Sequence, residues 1–87
     1  MPSNVQQTSI AAYLTINNLG GKRKEVYDAI REMGEACNLD LAYRLKWAIN
    51  RVTPRTKELR EMGLVEEAKK ALTQRTGKRV IYWRVTQ

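Results

Sequence analysis

Asn50, Arg51, Thr53, Pro54, Arg55, Lys57 and Arg60 fall within eleven consecutive residues, about three turns if the segment is helical. Their amide, hydroxyl, guanidinium and ammonium groups are those that read base edges and hold phosphates. A second basic group, Lys69, Lys70, Arg75, Lys78 and Arg79, follows with no acid between Lys69 and Arg84. Catalytic chemistry has fewer parts. The chain has no His and a single thiol, Cys37, so neither an internal disulfide nor a zinc site is expected. Gly20-Gly21-Lys22 lacks the first glycine and the preceding strand of a phosphate loop, and no carboxylate pair has an evident role. The expectation is a non-enzyme with no cofactor and no metal.

The charge is lopsided. Residues 1–40 carry four basic and five acidic side chains, residues 41–87 twelve and four, so the whole excess of +7 lies in the C-terminal part. Such one-sidedness fits a polyanion partner. The 87 residues allow one domain with a modest core. No apolar run is long enough to span a membrane, and no basic-then-apolar leader is seen. With the lone cysteine, these features lead us to expect a cytoplasmic setting and no membrane partner.

These side chains need elements to position them. Residues 1–8 read as a disordered lead-in, and residues 9–87 as the domain. Ser9–Asn18 forms an amphipathic accessory helix with Ile10, Tyr13 and Leu14 on one face. Val26, Ile30 and Met33 predict a helix over Lys22–Met33, stopped by Gly34. Asn38 is placed as the cap of Leu39–Lys46, whose apolar stripe is Leu41, Ala42 and Leu45, and Asn50 as the cap of a third helix reaching Met62. Leu64–Glu67 and Val80–Thr86 read as strands, with Thr76-Gly77-Lys78 at the hairpin tip. A short strand near Glu35–Cys37 is a candidate third member of the sheet. The fold class is mainly α with a small antiparallel β-hairpin, the winged helix-turn-helix.

A helical wheel divides the third helix. Val52, Leu59 and Met62 fall on one side with Thr56 at its edge, and Arg55 falls close to them. Asn50, Thr53, Pro54, Lys57, Arg60 and Glu61 fall on the other, free to enter a groove about 12 Å wide. Asn50, Thr53 and Lys57 are candidates for base edges, and Arg51 and Arg60 for flanking phosphates. In the wing, Arg75, Lys78 and Arg79 surround the turn and are candidates for phosphate or the minor groove. Trp47, beside the Leu41–Leu45 stripe, and Trp83, in an alternating strand, are assigned to the core, and Cys37 is read as a buried structural thiol.

The run Asn38-Leu39-Asp40-Leu41-Ala42-Tyr43-Arg44-Leu45, then Val52-Thr53-Pro54-Arg55, Glu58-Leu59-Arg60 and Met62-Gly63-Leu64-Val65, resembles the winged helix-turn-helix superfamily that includes MarR-type regulators. Val52-Thr53-Pro54-Arg55, Glu58-Leu59, Gly63-Leu64, Thr76-Gly77 and Trp83-Arg84 are closer still to small winged-helix proteins of phages and prophages. The likeness covers about residues 22–85. It implies DNA binding through the third helix and wing, with Asn50, Arg51, Thr53, Arg55, Lys57 and Arg79 as contacts.

Three functions fit these readings. The first is a sequence-specific binder of double-stranded DNA, a phage or bacterial transcriptional regulator. The second is a protein-interaction winged helix, with residues 9–18 available to dock a second copy as a homodimer. The third is an RNA or single-strand binder that stacks bases on its tryptophans.

Overall fold

A computed structural model describes residues 19–86. The accessory helix and the lead-in lie outside the described residues. Three helices and a hairpin follow in order: α1 (Gly21–Met33), α2 (Asn38–Leu45), α3 (Ile49–Glu61), β1 (Val65–Leu72) and β2 (Arg79–Val85). This is the expected winged helix-turn-helix.

Each helix contributes its apolar stripe to one core. Val26 and Ile30 of α1, Leu41 of α2, and Val52 and Leu59 of α3 are fully buried and meet Leu64, Val65 and Trp83 of the sheet side. Burial of such side chains is the main favourable contribution to folding. Thr56 is the one polar side chain of α3 in this core. Its hydroxyl lies 2.9 Å from Asn38 Oδ1 and 3.0 Å from the Thr53 carbonyl, joining α3 to the start of α2.

The helix ends explain most departures from the sequence reading. Asn38 is the first residue of α2 rather than its cap. Cys37 occupies that position, and its N–H donates to Asp40 Oδ2 at 3.5 Å. Likewise α3 begins at Ile49, capped by Ala48, so Asn50 lies within its first turn. Pro54 therefore falls in the second turn and leaves the Asn50 carbonyl without its intrahelical donor. Met62 lies beyond the end of α3 and is exposed, not packed.

Both helices of the helix-turn-helix end in the same backbone motif. At the end of α3 the Leu64 N–H donates to the Leu59 carbonyl (2.9 Å) while Gly63 takes φ 77°. At the end of α2 the Trp47 N–H donates to the Ala42 carbonyl (3.0 Å), and the left-handed residue is Lys46, φ 59°. A glycine adopts this conformation without the Cβ clash that a lysine meets there.

β1 runs on to Leu72, five residues past its expected end, and pairs antiparallel with β2 from Val65↔Val85 to Leu72↔Arg79. The register slips between Glu67 and Lys69, leaving Ala68 as an extra residue. Such a bulge bends the strand and increases its twist. The third sheet member is a single bridge, in which Ala36 exchanges backbone hydrogen bonds of 3.0 and 2.8 Å with Trp83. Trp83 is buried where bridge, strand and α-layer meet. Trp47 takes a rim position instead of a core one: it is half-buried, with Lys22 Nζ 5.2 Å from its ring centroid.

Candidate nucleic-acid interface

The exposed face of α3 carries Asn50, Arg51, Thr53, Pro54, Lys57 and Arg60. Val52, Thr56 and Leu59 hold the helix from the opposite side, as their spacing requires. Thr53 Oγ1 donates to the Ile49 carbonyl at 3.1 Å, so its hydroxyl proton is already engaged. Arg55 is half-buried, with Nε 3.2 Å from Glu58 Oε1.

Glu58 is also gripped by Arg23 of α1, whose Nε lies 3.0 Å from Oε1. The Arg23 hydrogen bond holds the Glu58 carboxyl below the ordinary carboxylate range, assisted by the charges of Arg23 and Arg55 and opposed by desolvation. The same pairing raises Arg23. Arg55 and Arg23 thus share one carboxylate beneath the exposed face.

At the wing tip the Thr73 N–H donates to the Lys78 carbonyl (3.0 Å) and the Gly77 N–H to the Thr73 carbonyl (2.8 Å). Thr73 is buried beneath this turn. Lys78 and Arg79 are exposed. Arg75 is turned towards α2: its Nε lies 3.2 Å from Asp40 Oδ1 and its guanidinium carbon 4.0 Å from the Tyr43 ring centroid.

The cations divide sharply. Arg23, Lys24, Arg31, Arg44, Arg55, Lys69, Arg75 and Arg84 each pair with a carboxylate. Among the described residues, Arg51, Lys57 and Arg60 on α3 and Lys78 and Arg79 at the wing tip make no salt bridge, as do Lys22, Lys46 and Lys70. The Arg60 guanidinium carbon instead lies over the Trp83 ring, 5.7 Å from its centroid. Uncompensated cations on a helix and a neighbouring loop can take up phosphates with release of counterions.

Sequence reasoning missed Asp40, Tyr43 and Glu58, the groups that hold Arg75, Arg55 and Arg23. Arg23–Glu58 and Arg75–Asp40 each join residues 35 apart, which no local spacing signals, whereas Arg55–Glu58 is a local i, i+3 pair of a kind that helix spacing does show. It also missed Ile49, exposed at the start of α3, because Ala48 has no capping side chain to mark that start.

Among the described residues no group of three or more His, Cys, Asp or Glu is placed to hold a metal, and no helix is long and apolar enough to cross a membrane. No protein-family model matches the chain, and no curated protein matches it. Solved structures do match its fold. Reduced HlyU from Vibrio cholerae superposes with a TM-score of 0.64 at 16% identity, over 100% of this chain and 83% of HlyU. Reduced MarR from E. coli gives 0.64 at 15% identity, over 99% of this chain and 65% of MarR. The adhesin competence repressor AdcR from Streptococcus pyogenes gives 0.63 at 20% identity, over 98% and 61%. The fold is therefore the winged helix found in MarR-type proteins. The chain spans less than two thirds of the length of MarR and AdcR.

Proposed function

We propose that this chain binds double-stranded DNA sequence-specifically and acts as a transcriptional regulator of phage or bacterial origin, working in the cytoplasm. α3 enters the major groove, where Asn50, Thr53 and Lys57 face base edges. Arg51 and Arg60 take flanking phosphates, and Lys78 and Arg79 of the wing take phosphate or the minor groove. The observation that carries this reading is the cation division: the exposed face of α3 and the wing tip hold cations without acidic partners, whereas half of the chain's Lys and Arg are neutralised by carboxylates. The likeness to a protein named a repressor supports the regulatory half.

Stacking of single strands on the tryptophans has less to work with. Trp83 is buried, and Trp47 is half-buried beneath Lys22. Selection from a random duplex pool at low salt tests the proposal. Enrichment of one motif is expected, and a palindromic motif would point to two copies, joined through residues 9–18. Recovery of unenriched sequence would overturn the sequence-specific reading.

A further inference from the structure

We infer that Arg75 is a positioning residue that latches the wing to the helix-turn-helix through Asp40 and Tyr43, and is not itself a DNA contact. The inference rests on the reading of this chain as a duplex-DNA binder and deepens it, because it assigns the three cations of the wing turn to two different tasks.

The latch lies between α2 and the wing turn, away from the Ala36–Trp83 bridge that joins the base of the hairpin to the helices. Two clefts open between the start of α2 and the hairpin. One, of about 470 Å³, is lined by Asp40, Leu72, Thr73 and Tyr82. The other, of about 500 Å³, is lined by Cys37, Asn38, Arg79 and Ile81. Across this gap Arg75 makes a directional bond from Nε to Asp40 Oδ1 (3.2 Å) and lies 4.0 Å from the Tyr43 ring centroid. A planar guanidinium can hydrogen-bond at its edge while its face lies on a ring, which an ammonium cannot.

Asp40 is itself held, and both anchors stand on one helix. Asp40 accepts the Cys37 N–H through its other oxygen, Oδ2, and its side chain is 20% exposed. Tyr43 sits one turn further along the same helix and is otherwise exposed, at 62%. At the wing end the Arg75 N–H donates to Thr73 Oγ1 (3.3 Å), within the turn that Thr73 and Gly77 close. Fixing Arg75 therefore fixes the turn from which Lys78 and Arg79 project. A guanidinium spent on Asp40 and Tyr43 leaves Lys78 and Arg79 as the free cations of that turn. Holding a binding-competent wing in place raises apparent affinity by the inverse of the fraction otherwise competent.

Fluorescence anisotropy on a duplex across a salt series, with wild type, Arg75→Ala, Asp40→Asn and the double variant, separates the two tasks. Asn at position 40 can still accept the Cys37 N–H, so the α2 start is kept. The latch predicts that Arg75→Ala and Asp40→Asn each weaken binding by about fivefold, that the double variant is no worse than either, and that all share the wild-type salt slope. A slope reduced by about 0.9 in Arg75→Ala would mark a phosphate contact. Binding of Asp40→Asn at or above wild-type strength would mark Asp40 as merely a repelling acid. Either result overturns the inference. An NMR readout without DNA accompanies it: the Arg75 δ-methylene is expected to be shifted upfield by the Tyr43 ring, and to lose that shift in Asp40→Asn. Its absence in the wild type also overturns the latch. Failure of the wild type to bind any duplex, with the ring shift present, overturns the DNA reading instead.

Discussion

Glu58 concentrates much of what single residues contribute here. One carboxylate faces Arg23 from α1 and Arg55 from its own helix, which keeps Arg55 on the packing side of α3. The carboxyl is lowered first by the Arg23 hydrogen bond. A lowered acid adds stability that is fully present above its ordinary pKa of 4.5 and is lost as pH falls through the lowered value. Thermal melts of wild type and Glu58→Gln are therefore expected to differ at neutral pH, with wild type higher, and to converge once the medium is more acidic than the lowered pKa. A gap that persists unchanged into acid would contradict the account. Glu58 lies three residues beyond Arg55, a spacing at which helix side chains meet. Spacing does not show a distant partner, and Arg23, 35 residues from Glu58, is one. Asp40 and Arg75 are the same case in the wing.

At the scale of elements, the turn between α2 and α3 is held by a backbone motif that favours glycine, and Lys46 occupies the left-handed position. A left-handed L-residue costs about 1–2 kcal/mol. Lys46→Gly is expected to recover roughly 1 kcal/mol, seen as a rise in Tm of about 4–8 °C for a domain of this size. An unchanged or lower Tm would show that the turn is not strained. The elements themselves were largely legible. The 3.6-residue spacing of Val26 and Ile30 and of Val52 and Leu59 marked two core faces, and Gly34 and Gly63 marked two stops. Starts were read less well, because Cys37 and Ala48 stand at the caps where Asn38 and Asn50 carry the familiar signal. β1 was read short for a different reason. The bulge at Ala68 breaks the two-residue alternation, and the exposed Lys69, Lys70 and Leu72 leave no apolar face to detect.

The whole molecule is a winged helix in which carboxylates pair with half of the Lys and Arg, and five of the eight left over lie on α3 and the wing tip. Arg51, Lys57, Arg60, Lys78 and Arg79 make no salt bridge among the described residues. The sequence showed the basic excess and its C-terminal placement, but not this division, which depends on contacts between elements. The division also makes the central claim measurable. Each phosphate neutralised contributes about −0.9 to the slope of log K against log salt. For one chain on duplex DNA a slope between about −2 and −4 is expected, with Arg51→Ala combined with Arg60→Ala weakening binding and flattening the slope by about two. No binding at low salt, or a slope that the double substitution leaves unchanged, would contradict it.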